Sequence, residues 1–453
     1  MLALQLQDKK VIVIGGGVSG QAVCRFLLDK GAQVTLADSK SDAELAPELL
    51  ALADQGLSLL LNDSLPQAVD WQLAVKSPGV PHTTPLMRLL HASGLPIIGD
   101  LELAYRFAKA PFVAITGTNG KTTTTELVYK IFCDAGINTL VGGNIGRPLI
   151  GLVEGHKGAI VVEVSSFQAE DCQYFAPKVG LFLNLAPDHL DRHGDMAGYL
   201  AAKEKIFQNQ SQSDFAILNY DDEAVRQVGG RLHSKVIYFS RQNQLAEGVF
   251  CQNGQIVMAL GEKKINLLPA EDIYIKGGHN LENALAAAAA AFVFGIEPPA
   301  IAASLRAFRG VEHRLESVAE IDGVLYINDS KGTNPDSTIK ALLAYERPII
   351  LVAGGRNKGN DFSALMQTAK GRVVFFSFLG EAKEELAAAA RAAGFGDQDF
   401  ILCDSFEEAF FKAQAQAKAG NIVMLSPACA SWDMFKNFEV RGKVFKDLVL
   451  AGK

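Results

Sequence analysis

The sequence has few cysteines and none of the patterns that mark membrane or nucleic-acid-binding proteins. Its six cysteines form no C-x-x-C pair, which argues against a disulfide framework and against a zinc site. Scattered thiols are typical of a reducing compartment, so we expect a cytoplasmic location. The amino terminus lacks a signal pattern, and no uncharged stretch reaches the length of a membrane span. The formal charge of −7, without a basic run, argues against nucleic-acid partners.

What is present is an α/β pattern repeated along the chain. A length of 453 residues predicts about three domains. Continuous apolar runs such as "VIVI", "AIVV" and "IILVA" are typical of strands buried on both faces of a parallel sheet. We therefore predict three consecutive Rossmann-like, doubly wound domains, with boundaries at 1–98, 99–309 and 310–453.

A compact phosphate loop opens the central block. The apolar run 112–115 predicts a strand, and 122–135 predicts a helix that stops at Gly136. Between them, only two residues separate Gly117 from Gly120, fewer than the four of the familiar G-x-x-x-x-G-K-[ST] motif. A glycine turn leading into a helix amino terminus still suits an anion, with Lys121 near the phosphates and the Thr122 hydroxyl near Mg²⁺. The alternative is an ordinary strand–turn–helix with a surface lysine.

Acidic and histidine side chains follow two further predicted strands of this block. Glu163 ends one strand, and Asp188 and His189 follow the other. Ligands of parallel α/β sheets bind beyond the carboxyl ends of the strands, so these side chains are expected beside the phosphate loop. Carboxylates near phosphate imply an intervening Mg²⁺. Taken singly, Glu163 and Asp188 are better explained as helix caps and His189 as a surface residue, and only the three together favour a metal site.

The first block carries a competing motif. Gly15-x-Gly17-x-x-Gly20 follows a predicted strand, and Asp38 closes the next strand, which matches a dinucleotide fingerprint. Alone it indicates an NAD-dependent oxidoreductase. A Rossmann-like domain with another cargo fits the same residues, so the motif leaves both possibilities open.

Several motifs in sequence order resemble the Mur ligase family. In the central block they are "TGTNGKTTTTEL", "GGNIG", "VEVSSFQ", "DHLDRHG", "AAKEKIF" and "GHNLENALAA". Further on, "EHRLE", "NDSKGTNPDST", "GGRNKGNDF" and "SPACASWDMFKNFEVRG" are similar to the members that add D-glutamate. The compact G-T-N-G-K-[ST] loop is that family's own form.

The resemblance implies an ATP-dependent, ADP-forming amide ligase of peptidoglycan precursor synthesis. Its substrates would be UDP-N-acetylmuramoyl-L-alanine and D-glutamate, which the enzyme would join through an acyl-phosphate intermediate. The enzyme would be a monomer. The first domain would then hold uridine diphosphate instead of NAD. Two further alternatives stay open: another amide ligase of the same superfamily, and a non-catalytic nucleotide-binding regulator.

The resemblance also implies site residues. Those for ATP are Gly117, Thr118, Asn119, Gly120, Lys121, Thr122, Thr123, Asn280, Asn283, Arg314 and Asp329. Two Mg²⁺ ions would use Thr122, Glu163, His189 and Lys203, the last as a carbamate formed from CO₂. Without the resemblance, Lys203 reads as a solvated helix lysine. The catalytic set would be Lys121, Glu163, His189 and Lys203.

The same resemblance assigns the other two substrates. The UDP-muramoyl-alanine positions are Val18, Ser19, Ser39, Lys40, Gly79, Asn144 and Ser165. The D-glutamate positions are Lys331, Thr333, Lys358, Ser431 and Phe438. A substrate with two carboxylates gives the lysines of this last set a chemical reason.

Overall fold

The structure, a computed structural model, describes residues 4–261 and 263–451 of the chain. Its backbone contacts define two compact units. The first consists of Met1–Leu185, Arg192–Leu268 and Ala284–Ser304, and the second of Ala186–Asp191, Pro269–Asn283 and Leu305–Lys453. The domain boundaries after residues 98 and 309 stay a prediction.

The first unit begins with a five-stranded parallel sheet in the order β3-β2-β1-β4-β5. Its core strands are apolar on both faces, as helices on either side require. The strands are β1 Lys10–Ile14, β2 Gln33–Ala37, β3 Ser58–Leu60, β4 Leu73–Lys76 and β5 Ile97–Gly99. The helices are α1 Val18–Asp29, α2 Pro47–Ala53, α3 Pro85–Ala92 and α4 Asp100–Phe107.

The second sheet has nine strands in the order β14-β13-β12-β11-β10-β9-β6-β8-β7. Strands β7 to β11 and β6 pair in parallel, whereas β12 and β13 form an antiparallel pair. The strands are β6 Phe112–Thr116, β7 Thr139–Gly143, β8 Ala159–Glu163, β9 Val179–Phe182, β10 Phe215–Asn219, β11 Lys235–Ser240, β12 Gly248–Gln252, β13 Gln255–Leu260 and β14 Lys263–Pro269.

The helices of this central block are mostly short, apart from the first and the alanine-rich one. They are α5 Lys121–Asp134, α6 Ser166–Ala169, α7 Leu190–His193, α8 Met196–Glu204, α9 Glu223–Val228, α10 Gly278–Val293 and α11 Pro298–Ala307. Residues 284–291 of α10 are completely buried, because their small side chains allow close packing.

The second unit contains a six-stranded sheet in the order β15-β16-β20-β17-β18-β19. All its pairs are parallel except β15 with β16. The strands are β15 Glu316–Ile321, β16 Val324–Asn328, β17 Ile349–Gly354, β18 Val373–Leu379, β19 Phe400–Leu402 and β20 Ile422–Leu425. The helices are α12 Pro335–Leu343, α13 Ser363–Ala369, α14 Lys383–Ala392, α15 Phe406–Gln416 and α16 Phe438–Ala451.

The expected α/β class with three mainly parallel sheets is confirmed. The antiparallel pairs β12–β13 and β15–β16 were not predicted, because short hairpins carry weaker sequence signals than buried parallel strands. Among residues 4–261 and 263–451, none of the helices combines the length and apolar composition that a bilayer span requires.

Candidate active site

The phosphate loop follows β6 and ends at the amino terminus of α5. Gly117 (φ +150°) and Gly120 (φ +83°) adopt conformations that favour glycine, which explains both positions. The N–H groups of Thr118 and Asn119 donate to the backbone and side-chain oxygens of Asn184, at 3.0 and 2.9 Å. Asn184 therefore fixes the loop, a role the sequence reasoning missed. Its only sequence signal is a polar residue following the apolar strand β9.

These contacts decide which donors remain for an anion. The amino terminus of α5 presents backbone N–H groups at this loop, and the helix dipole adds positive potential there. Lys121 Nζ donates to the carbonyls of Gly117 and Thr118, at 2.9 and 2.8 Å. The lysine thus folds back over its own loop, and its ammonium lies beside the turn where phosphate was expected.

Glu163 joins two other expected site residues, Thr122 and Asn144. Its carboxylate accepts from the Thr122 hydroxyl at 2.7 Å and from the Asn144 amide at 2.8 Å. Glu163 is only 2% exposed at the end of β8, and its backbone carbonyl accepts from the Asn144 N–H. The structure thus brings Thr122, Asn144 and Glu163 together beside the loop, as the strand-end argument predicts for Glu163.

Lys203 is buried beside the same loop. It is 1% exposed, so its interpretation as a solvated helix lysine is wrong. Its ammonium donates to the Gly117 carbonyl at 2.8 Å and lies 4.5 Å from the centre of the Tyr199 ring. Two lysines on α5 and α8 therefore contact the carbonyl of one glycine. This concentrates cationic groups at the phosphate loop.

The donor set at Glu163 fits a magnesium ion. Mg²⁺ prefers oxygen ligands and usually binds one or two protein groups together with substrate phosphates. The Thr122 hydroxyl and the Glu163 carboxylate are oxygen donors within 2.7 Å of each other, at the helix end expected to bind phosphate. The residues present are therefore suited to hold such an ion.

The glycine-rich turn of the first sheet borders a cavity of about 260 Å³. Ser39 and Gly79, both expected in the uridine-nucleotide site, line it together with Gly15 and Asp38. Val18, Ser19 and Lys40 lie outside this lining. Ser19 instead lines a separate small cavity together with Asp100, and desolvation is the main cause that raises the pKa of the Asp100 carboxyl.

Asp38 is engaged in a way that weakens the dinucleotide interpretation. Its two carboxylate oxygens accept from the N–H groups of Gly16 and Lys40, at 2.6 and 2.9 Å. In a dinucleotide fold this acidic side chain would bind the ribose hydroxyls instead.

In the second unit, the segment 186–191 carries Asp188 and His189. The Lys358 ammonium lies 3.2 Å from Asp188 Oδ1, and the Asn334 amide is 3.5 Å from Oδ2. His189 has a positive φ of 53°, and its Nε2 lies 3.7 Å from the same carboxylate. Glu163 belongs to the first unit, whereas these residues belong to the second.

A second cavity, of about 600 Å³, carries two of the expected ATP residues. Asn280 and Arg314 line it together with Tyr274, Lys276 and Tyr345. Asn283 donates to the Asn280 side chain at 3.2 Å, so the two amides orient each other. Arg314 Nε is buried and has no hydrogen-bond partner within the described residues. An unpaired buried donor facing a cavity is the kind of group that a polar ligand satisfies.

Asp329 is buried beside this cavity wall without lining it. Its oxygens accept from the Leu315 N–H at 3.2 Å and the Ser426 hydroxyl at 2.7 Å. Burial raises the pKa of Asp329 to about 6, although the positive charge of Arg314 opposes the shift.

Three of the expected D-glutamate residues, Lys331, Thr333 and Ser431, lie on two loops that one arginine connects. Arg441, 2% exposed, donates to the Ser330 hydroxyl at 3.0 Å, to the Ser330 carbonyl at 2.9 Å and to the Cys429 carbonyl at 3.3 Å. These contacts fix two turns. One carries Lys331 and Thr333, and the other carries Ser431. The Lys331 ammonium lies 5.0 Å from the centre of the Phe438 ring. Sequence reasoning missed Arg441, since only burial distinguishes it from a surface arginine.

Comparison with known proteins assigns all three sheets. Residues 9–99 match the family model "Mur ligase MurD-like, N-terminal domain", 115–291 match "Mur ligase middle domain", and 313–429 match "Mur ligase, glutamate ligase domain". The chain is 52% identical to the UDP-N-acetylmuramoylalanine--D-glutamate ligase of Pelotomaculum thermopropionicum, with 98% of each chain covered. It is 46% identical to the ligase of the same name from Alkaliphilus metalliredigens, over 98% of this chain and 99% of that one.

Solved structures agree at the level of the fold. MurC of Thermotoga maritima aligns with a TM-score of 0.61 at 19% identity, covering 98% of this chain and 100% of that one. MurF of Acinetobacter baumannii aligns with a TM-score of 0.63 at 18% identity, covering 92% and 90%. The chain belongs to the Mur ligase family, and within it to the UDP-N-acetylmuramoylalanine--D-glutamate ligases.

Proposed function

We propose that this protein joins D-glutamate to UDP-N-acetylmuramoyl-L-alanine, with conversion of ATP to ADP and phosphate, in peptidoglycan precursor synthesis. The observation that carries the proposal is 52% identity over 98% of the chain to a ligase named for this reaction. The geometry of the phosphate loop supports it, because Lys121, Thr122, Glu163 and Lys203 converge there.

In the first step, a carboxylate oxygen of the muramoyl-alanine substrate attacks the γ-phosphorus of ATP, and ADP leaves. The resulting acyl phosphate is an activated acid, which the free carboxylate is not. Lys121 and the amino terminus of α5 stabilise the negative charge on the transferred phosphoryl group. Water must be kept from the acyl phosphate, and the buried surroundings of Glu163 and Lys203 favour that.

In the second step, the neutral amine of D-glutamate attacks the acyl carbon. The tetrahedral intermediate expels phosphate, the nitrogen loses a proton, and the amide remains. The acidic amino acid is assigned to the second unit, where Lys358 and Lys331 supply cations and Ser431 a hydroxyl. Arg441 holds the turns that carry Lys331 and Ser431.

Magnesium is assigned to Thr122 and Glu163, where it would neutralise phosphate charge next to a carboxylate. His189 is proposed for a second ion. Lys203 is proposed to act as a carbamate, which would replace its positive charge with a negative one. The ammonium form contacts the Gly117 carbonyl, so the modified side chain would need another partner in its place.

ATP and the uridine nucleotide are assigned to separate cavities. Asn280, Asn283, Arg314 and Asp329 are proposed for the adenosine end, supported by the unpaired Arg314 donor. The uridine end is proposed for the cavity at Gly15, Ser39 and Gly79. A cytoplasmic location is proposed as well, supported by the need for ATP and by the free cysteines. The monomeric state stays a prediction, which sedimentation would test.

The test is phosphate release by the purified protein with ATP, Mg²⁺, UDP-N-acetylmuramoyl-L-alanine and D-glutamate. Release must require every component, and the product must gain the mass of one glutamyl residue. Omitting D-glutamate, or replacing it with L-glutamate or D-alanine, is expected to remove most of the activity. Faster turnover with another amino acid would assign the protein to a different amide ligase.

Nucleotide binding distinguishes the proposed ligase from the NAD-dependent oxidoreductase alternative. UDP is expected to bind the full-length protein, whereas NAD and NADP are not, because Asp38 is already bonded to its own loop. Calorimetric titration of both nucleotides decides this. Tighter binding of NAD than of UDP would reverse the assignment of the first sheet.

A further inference from the structure

A buried ion pair connects the first sheet to the segment that follows α6 in the central block. Lys76, at the end of β4, is completely buried, and its ammonium lies 2.8 Å from Asp171 Oδ2. The Asp171 side chain is 4% exposed, and its other oxygen lies 2.9 Å from His82 Nε2. Burying two charges is costly and often adds no stability, so such a pair calls for another explanation.

On the side of the first sheet, Lys76 shapes a turn of the nucleotide cavity. Its ammonium donates to the Val80 carbonyl at 3.0 Å, which folds the segment 77–80 back over the lysine. The Ser77 hydroxyl donates to the Gly15 carbonyl at 2.8 Å, so this turn packs against the glycine-rich loop. Gly15, Gly79 and Val80 all line the cavity assigned to the uridine nucleotide.

On the other side, Asp171 closes the segment that contains α6. Ser165 caps this helix, since its hydroxyl accepts from the Gln168 N–H at 3.2 Å. The helix then leads directly to Asp171, whose carbonyl accepts from the Gly99 N–H at 3.3 Å. Ser165 is a position assigned to the muramoyl-alanine end of the substrate.

We infer that the Lys76–Asp171 pair positions the two ends of the UDP-linked substrate relative to each other. The inference rests on the proposed function, which assigns the uridine end to the Gly79 turn and the muramoyl-alanine end to Ser165. The pair joins these two segments through a charge contact of 2.8 Å that is almost completely buried. Lys76 and Asp171 are positioning residues, because neither lines the uridine cavity.

The physical consequence concerns the reacting carboxylate. A substrate held at both ends places its carboxylate correctly only if the two segments keep their spacing. A shift of about 1 Å in a positioning group can reduce turnover by about a hundredfold. UDP alone touches one segment only, so its binding does not depend on the spacing. Comparing UDP with the complete substrate therefore shows whether the Lys76–Asp171 pair positions the substrate or only supports the cavity.

The test compares Lys76→Met/Asp171→Asn with the wild type. Removing both charges leaves no unpaired buried ion, and the asparagine can still accept from His82. We expect kcat/KM for UDP-N-acetylmuramoyl-L-alanine to fall by about tenfold or more. The inhibition constant of UDP and the KM values of ATP and D-glutamate should stay within about twofold of the wild type.

A matched control is Lys30→Met/Glu154→Gln. Lys30 and Glu154 form an ion pair of 2.6 Å that also connects the first block to the central one, but both side chains are partly exposed. This variant should behave like the wild type. Asp171→Glu, which keeps the charge but lengthens the side chain, should reproduce the selective loss if the double variant fails to fold.

Two results would overturn the inference. One is that the wild type is active and the double variant, or Asp171→Glu, has the same kcat/KM for the complete substrate as the wild type. The other is an equal loss of affinity for UDP and for the complete substrate, which would place the effect in the cavity. An inactive wild type that still binds UDP would refute the proposed function instead.

Discussion

The Lys358 ammonium lies 3.2 Å from Asp188 Oδ1, and the two side chains are 18% and 10% exposed. Lys358 was expected to receive a carboxylate of D-glutamate, so a carboxylate of the protein already occupies the contact. An acidic substrate must either replace Asp188 or share the cation with it. The pair thus holds Lys358 in a defined place before the substrate binds.

Lys358→Ala is therefore expected to raise the KM for D-glutamate by about tenfold or more, because a hydrogen bond from a charged group contributes about 1.5–3 kcal/mol. The KM values of ATP and of the UDP-linked substrate should change little, since other residues are assigned to them. Initial rates at varied concentrations of each substrate measure the three constants. The exposed Lys370→Ala serves as the control, and an unchanged D-glutamate KM would remove Lys358 from the amino-acid site.

Lys121→Ala is expected to reduce kcat by about a hundredfold or more, because it removes a cation that we assign to the transferred phosphoryl group. Lys130→Ala is the matched control, since Lys130 lies on the same helix and pairs with the partly exposed Asp134 at 3.0 Å. Single-turnover release of phosphate measures the effect. Comparable rates for the two variants would contradict the assignment of the phosphate loop.

Activity is expected to depend on carbon dioxide if Lys203 forms a carbamate. Only the neutral amine adds CO₂, so removing CO₂ at mildly acidic pH should reduce the rate and bicarbonate should restore it. Lys203→Arg should be inactive under both conditions, because a guanidinium does not form this carbamate. Full activity of Lys203→Arg would exclude the modification. It would indicate that a cationic side chain in contact with the Gly117 carbonyl is sufficient.

The buried carboxyl of Asp329 predicts a pH-dependent stability. Its pKa is raised from 3.8 to about 6, so the folded protein favours the protonated form. The stabilisation of the folded protein by this raised pKa is complete below about pH 4 and is lost as the pH rises through 6. The pKa shift corresponds to about 3 kcal/mol of free energy of unfolding. Asp329→Asn, which cannot ionise, should therefore become progressively more stable than the wild type between pH 4 and pH 7.

Thermal unfolding of the wild type and Asp329→Asn at several pH values measures this difference. The activity of Asp329→Asn, unlike its stability, is expected to be lower than that of the wild type. The reason is that Asp329 is assigned to the ATP site and the substitution removes its charge. A stability difference that stays constant across this pH range would mean that Asp329 has the same pKa in the folded and the unfolded protein, which would contradict the raised pKa.

Much of the fold was predictable because its signals are local. Buried parallel strands are continuous apolar runs, and the phosphate loop needs glycines where φ is positive, so β6, Gly117, Gly120 and α5 can be recognised without a structure. The antiparallel pairs β12–β13 and β15–β16 escaped prediction, because the local pattern of a short strand does not specify which neighbour it pairs with or in which direction.

The sequence by itself determined the family, the order of the three sheets, and the residue types available for phosphate, magnesium and carboxylate binding. Only the tertiary structure decided which of those side chains are buried and what they contact. Lys203 is buried against Gly117, Asn184 fixes the phosphate loop, and Lys76 pairs with Asp171. Each of these contacts joins residues far apart in the chain, and desolvation and side-chain direction are set by packing, which no local pattern encodes.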